Sequence, residues 1–256
     1  MGLDFPDHFS VTADAYARYR PQYPRELLAR LAALAPGLTR CWDVATGSGQ
    51  AALALAEHFE HVVATDASES QIANAVAHPR VEYRVESAEH SSLAAASVDL
   101  ITVAAALHWF ALPTFYAEVR RVARPGAVLA AWSYSTRFDL DPAIDPIVAH
   151  HTETVLGPYW TDALRIVNSG YQDLEFPFTE IALPPATITL EWTLDQVVGA
   201  IGTWSASNIF RATTGEDPSG PLRARLAAVW GPATTRTVRI PLFFRVGRVS
   251  PPADAG

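Results

Sequence analysis

Apolar positions first fall into a regular pattern within residues 11–34, where Leu27, Leu28, Leu31 and Leu34 recur at helical spacing after breaks near Pro21 and Pro24. Pro36-Gly37 predicts the end of that helix. From Cys41 onward the pattern becomes short apolar runs alternating with amphipathic stretches. Cys41-Trp42-Asp43-Val44-Ala45 predicts a buried strand, and small residues then lead into an Ala/Leu helix through about Phe59. His61-Val62-Val63-Ala64-Thr65 predicts a second strand ending at Asp66, with Ser68 as N-cap of a helix over Glu69–Val76. Val81–Val85, Val98–Ala104 and Val128–Trp132 predict three further strands, the second of them continuous and β-branched, as a strand covered on both faces should be. A helix over Pro113–Val122 precedes the Pro125-Gly126 turn. Strands separated by single helices predict an α/β fold, a doubly wound and mostly parallel sheet.

After Ser135 the rhythm changes. Asp139–Leu156 and Thr161–Asn168 read as helical, with Gly170 as a stop signal. Phe176–Leu183 and Thr187–Trp192 read as strand-like, Leu194–Gly202 and Pro221–Trp230 as helices, and Thr237–Val249 as a final strand. This stretch is too interrupted for a second α/β domain. The expected organisation is therefore an N-terminal helical lid segment (1–38), an α/β core (39–135), a region carrying the last sheet strands and a substrate-side helical insertion (136–249), and a loose tail (250–256).

Composition narrows the function classes. Hydrophobic residues make up 49% and charged residues 18% of the 256, enough for a packed core of one large domain. The net charge of −8, with scattered arginines, offers no electrostatic footprint for nucleic acid or an anionic membrane. All 19 basic residues are Arg, which excludes Schiff-base chemistry, a P-loop lysine and a lysine general base. The single Cys41 excludes a disulfide framework and a multi-cysteine metal site, and its buried-strand setting reads as an inert core thiol. No apolar run spans a membrane and no secretory signal is visible, so a cytoplasmic location and a monomer or homodimer are expected.

Ligands of an open parallel sheet sit beyond the carboxyl ends of its strands. Here the first strand ends in Asp43-Val44-Ala45-Thr46-Gly47-Ser48-Gly49-Gln50-Ala51-Ala52, where glycines allow a tight turn and close backbone approach to a ligand. Asp66 at the end of the second strand can accept both hydroxyls of an adenosine ribose. Read from Gly47, the same run also fits the dinucleotide pattern G-x-G-x-x-A, so a nicotinamide-dependent oxidoreductase stays open as an alternative. Asp43 beside the turn disfavours a diphosphate and suits a cationic amino-acid ligand.

These motifs resemble those of class I S-adenosylmethionine-dependent methyltransferases, in the branch of the trans-aconitate methyltransferase-like enzymes. The family's acid-x-G-x-G-x-G is met by Asp43, Gly47 and Gly49, with Ala45 in place of the first glycine. Further matches follow in order: Asp66, Ser87-Ala88-Glu89, Ser97-Val98-Asp99-Leu100, Ala106-Leu107-His108-Trp109-Phe110 and Arg124-Pro125-Gly126. So do Tyr16-Ala17-Arg18-Tyr19-Arg20, Tyr159-Trp160, Thr203-Trp204-Ser205-Ala206 and Arg245-Val246-Gly247-Arg248. The resemblance implies a seven-stranded sheet with a C-terminal lid, S-adenosyl-L-methionine as cofactor, and adenine contacts from Ser87, Ala88 and Glu89. It also implies cofactor contacts from Ala104 at the end of strand four and from Tyr16 and Arg20 in the N-terminal segment. Where the family often has Asp at the adenine position this chain has Ser87, which shifts recognition of the adenine amine to Glu89 or to backbone groups.

Methyl transfer is an in-line displacement that chiefly needs alignment of the acceptor. His108, just past strand four, reads either as a base or as an orienting residue within an aromatic wall with Trp109 and Phe110. Tyr19, Trp109, Trp132, Tyr134, Tyr159, Trp160 and Trp204 are candidates for the acceptor side, with ordinary core packing as the alternative for the group. His58, His61, His78 and His90 read as surface residues, and the adjacent His150-His151 pair cannot share a helix face to bind a metal. The expected activity is methylation of a small organic acceptor on a carboxylate or hydroxyl. A protein of the same fold that binds the cofactor without transferring methyl is the other expectation.

Overall fold

The computed structural model describes residues 21–136 and 138–249. The chain divides into two compact units. Of the described residues, the core unit comprises Tyr23–Ser135, Ile166–Ala186 and 242–249, and the second unit comprises Pro21-Gln22, Thr136–Arg165 and Thr187–Pro241.

In the core unit, helix α1 (Arg25–Leu34) begins directly after Pro24, the residue best suited to opening a helix, and buries Leu27, Leu28, Leu31 and Ala32. The sheet strands follow: β1 (Arg40–Val44), β2 (His61–Asp66), β3 (Val81–Val85), β4 (Val98–Ala104), β5 (Ala123–Tyr134) and the short β6 (Thr179–Glu180). With the long β8 (Arg236–Arg248) the order is β3-β2-β1-β4-β5-β8-β6. Strands β1 to β5 are parallel, and β8 closes the series antiparallel between β5 and β6. This is the mostly parallel seven-stranded order of the class I methyltransferase fold. Helices α2 (Gln50–Leu55), α3 (Glu69–Ala73) and α4 (Leu112–Val122) supply crossovers. Every residue of β4 but the last is buried, Asp99 and Thr102 included, as expected of a strand covered on both faces. Trp42 is fully buried on β1, donating from Nε1 to Thr65 Oγ1 at 2.9 Å and packing its ring against Phe115. Cys41 is also fully buried, and burial holds its thiol well above the ordinary value.

Several boundaries differ from the sequence pattern. The described part of the N-terminal helical stretch is α1 alone. The helix after the glycine loop stops at Leu55 rather than Phe59, and α3 stops at Ala73 rather than Val76, though Ser68 caps it through Gln71 N–H as expected. Strand β5 is longer than Val128–Trp132 because Ala123 already pairs with Val98 across a register irregularity. The proline-rich Phe176–Leu183 run yields only β6, since proline supplies no ladder donor.

In the second unit, the stretch read as helical from Asp139 begins at Asp145, because that carboxylate accepts from the Leu140 and Asp141 N–H groups and holds the preceding turn open. Helix α5 (Asp145–His150) then widens into a π-helical turn at His151–Val155. Helix α6 (Asp162–Asn168) leads out of this unit and into the core. Strand β7 (Ala186–Trp192) pairs with β8, and the Thr237 hydroxyl donates to Glu191 Oε1 at 2.6 Å. Helices α7 (Leu194–Gly202), α8 (Ser205–Thr214) and α9 (Ser219–Trp230) complete the unit. Helix α7 opens on a full capping box between Thr193 and Gln196. Helix α8 escaped the sequence pattern because the residues it buries, Ala206 and Ser207, are small and leave no run of large apolar side chains.

Candidate active site

The carboxyl end of β1 turns through Ala45, Gly47 and Gly49, all with positive φ (51°, 58° and 89°). The two glycines do different work. Among the described residues a Cβ on Gly47 would meet Gln71 Oε1 alone, at an ordinary contact distance of 3.7 Å, so no described atom crowds its backbone. A Cβ on Gly49 would lie 2.2 Å from the Tyr83 hydroxyl, so this glycine lets α2 approach β3. Ala45 adopts the left-handed conformation without being glycine, a strained state for a residue with a Cβ.

Asp43 is completely buried and braces this turn. The strand register sets it beside Thr102, whose hydroxyl donates to Oδ1 at 2.7 Å, and the Thr46 hydroxyl donates to Oδ2 at 2.5 Å. Burial pushes its carboxyl up to about 6, with the Asp66 charge adding to the rise. The Thr46 and Thr102 hydroxyls and the Ala52 N–H pull in the other direction. Asp66 closes β2, and its carboxylate accepts from Gly47 N–H at 2.8 Å on Oδ2 and Ser68 N–H at 2.8 Å on Oδ1. Burial lifts its carboxyl above the ordinary value against those two bonds. The loop after β1 and the end of β2 are thus one hydrogen-bonded assembly.

The loop after β3 carries Ser87, Ala88 and Glu89. Ser87 bridges to His90, Ala88 is nearly buried, and Glu89 Oε1 accepts from Ala111 N–H at 3.0 Å where α4 begins. Glu118 on α4 anchors the same loop, accepting from both the N–H and the hydroxyl of Ser91 and from Arg121. Burial works against that carboxylate's charge, but the Arg121 and Ser91 bonds outweigh it and hold the group at about 2.

Strand β4 ends at Ala104, and Ala105 takes a positive φ of 55° with its N–H on the Trp132 carbonyl. The following turn presents His108, whose ring lies 4.8 Å from that of Trp109, itself exposed. His108 Nδ1 is 3.2 Å from the hydroxyl of Tyr171, a residue the sequence pattern did not single out. The only sign of it in the sequence is its position after the helix-stop Gly170. At the end of β5, Trp132 is fully buried, stacks edge-on against Tyr23 at 5.4 Å, and leaves its Nε1 without a partner among the described residues. Tyr134 is the last residue of the same strand.

The structure therefore brings Asp43, Ala45, Gly47, Gly49, Asp66, Ser87, Ala88, Glu89, Ala104, His108, Trp109, Trp132 and Tyr134 to the strand ends of one sheet or to the loops that follow them. Tyr159, Trp160 and Trp204 belong to the second unit, where they join its own aromatic cluster. Trp160 lies 5.8 Å from Trp204, Trp204 lies 5.3 Å from Phe138, and Tyr159 lies 5.0 Å from Phe210. Tyr16, Tyr19 and Arg20 lie outside the described residues. The His150-His151 pair splits as expected, His150 exposed and His151 buried. No cluster of His, Cys, Asp and Glu suited to a metal ion occurs among the described residues.

A parallel sheet with a glycine turn after its first strand and an acid ending its second defines an α/β protein that binds a nucleoside-bearing cofactor at the strand ends. The known proteins it is similar to say which. The methyltransferase domain family matches residues 42–131. A Dictyostelium discoideum protein named as a methyltransferase is 32% identical over 209 residues, covering 80% of each chain. A Saccharomyces cerevisiae protein named as an S-adenosylmethionine-dependent methyltransferase is 24% identical, over 80% of this chain and 82% of that one. A solved structure from Anaeromyxobacter dehalogenans, described as a type II methyltransferase, is 44% identical. It superposes with a TM-score of 0.86 over 91% of this chain and 99% of that chain.

The chain belongs to the class I S-adenosylmethionine-dependent methyltransferases, and S-adenosylmethionine is its cofactor. The strand ends fit that group: no described atom crowds Gly47, and each Asp66 oxygen, with one backbone N–H bound, retains capacity to accept a further hydroxyl.

Proposed function

We propose that this methyltransferase methylates an oxygen, carboxylate or hydroxyl, of a small organic acceptor. What supports this reading is His108, presented in the turn after β4, at the sheet edge where ligands of a parallel α/β sheet sit, with Nδ1 within hydrogen-bond distance of Tyr171. Asp66 would hold the ribose hydroxyls, Gly47 the close backbone approach, and Ser87, Ala88 and Glu89 the adenine side. Asp43 would act by bracing the turn from beneath. Tyr16 and Arg20 enter as further cofactor contacts. Trp109, Trp132 and Tyr134 enter as acceptor-side residues of the core unit.

Bound S-adenosylmethionine supplies a methyl group on a sulfonium, whose departure as a neutral thioether drives displacement. What remains for the chain is to orient the acceptor and exclude water, worth up to roughly 7–11 kcal/mol. A carboxylate acceptor needs no base, whereas a hydroxyl does. The absence of lysine and the acidic balance support a small-molecule substrate in place of a nucleic acid.

The test is transfer of labelled methyl from the cofactor to a panel of carboxylic and hydroxy acids. The expected product is a base-labile methyl ester or a base-stable ether, formed at least ten-fold more slowly by His108→Gln. Tight S-adenosylhomocysteine binding with no labelled product from any oxygen acceptor overturns the reading.

A further inference from the structure

The second unit contains a cavity of about 90 Å³ of its own, framed by the π-helical turn, α8 and α9. Its walls are chiefly carbon, from Val155, Phe210, Pro218 and Leu222. His151 also lines it. That imidazole is 4% exposed, and its Nε2 has no hydrogen-bond partner among the described residues. Buried polar groups are nearly always paired, so a bare ring nitrogen on a cavity wall calls for an explanation.

The backbone beneath the ring is unusual in the same place. His151 opens the π-helical turn, its carbonyl accepting from Leu156 N–H at 2.9 Å across five residues. Such turns are rare and occur frequently at functional sites. Here the turn sets its first and last residues, His151 and Val155, on one cavity. Trp160 Nε1 secures it by donating to the Thr152 carbonyl at 2.8 Å, and Tyr159 packs 5.0 Å from the wall residue Phe210.

The chemistry of the lining narrows the ligand. Exposed Arg225 and Glu216 bring opposite charges to the cavity, and Asp217 is already answered by Arg211 Nε at 3.0 Å and Ser219 N–H at 3.1 Å. A cation meets Arg225 and an anion meets Glu216, so a neutral molecule fits best. Burial, followed by the charges of Arg225 and His150, holds the His151 imidazole at about 4, so the ring is itself neutral near pH 7. A neutral imidazole nitrogen donates or accepts according to its tautomer, and a hydroxyl matches both because it can do either. A water molecule needs two to four polar partners, which walls of carbon supply poorly.

We propose that this cavity is a second binding site, for a small neutral molecule with one hydroxyl on a compact apolar body, a simple phenol for instance, its hydroxyl meeting the His151 ring. The site is independent of the methyltransferase reading, since its walls come from the second unit alone.

The test uses the full chain labelled with nitrogen-15 at histidine and titrated with phenol. Toluene, which lacks the hydroxyl, and benzoate, which carries a charge, are run alongside. His151 and His108 are assigned by the signals lost in His151→Gln and His108→Gln. Phenol should shift the His151 ring nitrogens saturably. Toluene should bind about ten-fold more weakly for want of the hydrogen bond, and benzoate should also bind more weakly than phenol. Absence of a saturable shift at His151 overturns the proposal, as do shifts confined to His108, which place phenol at the sheet edge. Toluene as tight as phenol leaves only an apolar hole, and benzoate as tight as phenol an anion site on Arg225; either result overturns it. Should His151→Gln fail to fold, a phenol-soaked crystal decides. A phenol hydroxyl within hydrogen-bond reach of His151 supports the site, and an empty or water-filled cavity refutes it.

Discussion

Ala45 occupies the place of a family glycine and adopts the glycine conformation. Left-handed backbone costs an L-residue about 1–2 kcal/mol, and glycine gives back about 0.5–1 kcal/mol through its freer unfolded chain. Ala45→Gly should therefore stabilise the protein by ~0.5–1 kcal/mol, seen as a rise in melting temperature of about 2 °C. The neighbouring glycines should respond in opposite ways to the same change. Gly47→Ala places a methyl where no described atom crowds it and should cost S-adenosylhomocysteine affinity at least ten-fold in a calorimetric titration, with about 1 kcal/mol of stability. Gly49→Ala drives a methyl into the Tyr83 phenol and should cost roughly 2 kcal/mol or more of stability by urea unfolding. Equal effects of the two on affinity would refute this division of labour.

Between elements, two matched motifs prove to be a structural pair. Asp99, second residue of β4, is almost fully buried and accepts from Thr39 N–H at 3.0 Å, Arg40 N–H at 2.9 Å and Arg124 Nη1 at 2.9 Å. These contacts join the starts of β1, β4 and β5, the end of the sheet opposite the cofactor edge. Asp99→Ala leaves a guanidinium and two backbone donors unmatched and should cost about 3 kcal/mol or more in denaturant unfolding, with cofactor affinity unchanged. Resemblance alone could not sort such residues from site residues, because both recur in the motifs. What was legible were the parallel strands β3, where valine and tyrosine alternate with charged residues, and β4, rich in β-branched and apolar residues, and the Asp43, Gly47, Gly49 and Asp66 assembly, which is local to two strand ends. Hidden from the sequence were Tyr171, brought to His108 from 63 residues away by tertiary contacts, and helix α8, which buries only small residues. The lengths of α2 and β5 were hidden too, since end bonds and register settle them.

For the molecule as a whole, two buried groups titrate in opposite senses. Asp43, of the core unit, ionises at about 6 in the fold against an ordinary 3.8, because burial disfavours its charge. Between those values the folded state holds a proton the unfolded state has lost, so the core unit loses stability as pH rises through that window. His151, of the second unit, protonates only at about 4 against an ordinary 6.5, through burial first and then the charges of Arg225 and His150. There the unfolded state holds the extra proton, so the second unit gains stability as pH rises from 4 to 6.5. Each effect amounts to roughly 3 kcal/mol. Hydrogen exchange followed amide by amide at pH 4.5 and 6.5 should show protection of the core unit falling with pH and that of the second unit rising. Asp43→Asn should abolish the first trend and leave the second. Parallel trends in both units would contradict this account.

Strand β8 has a consequence for the order in which the protein becomes complete on the ribosome. Strands β1 to β5, with the glycine turn and Asp66, are all synthesised by residue 134. Strand β6 pairs with β8, and Arg245, which donates to the Tyr171 carbonyl, also lies on β8. A nascent chain thus carries every strand that frames its nucleoside edge long before residues 242–248, which hold the Tyr171 backbone in place, emerge.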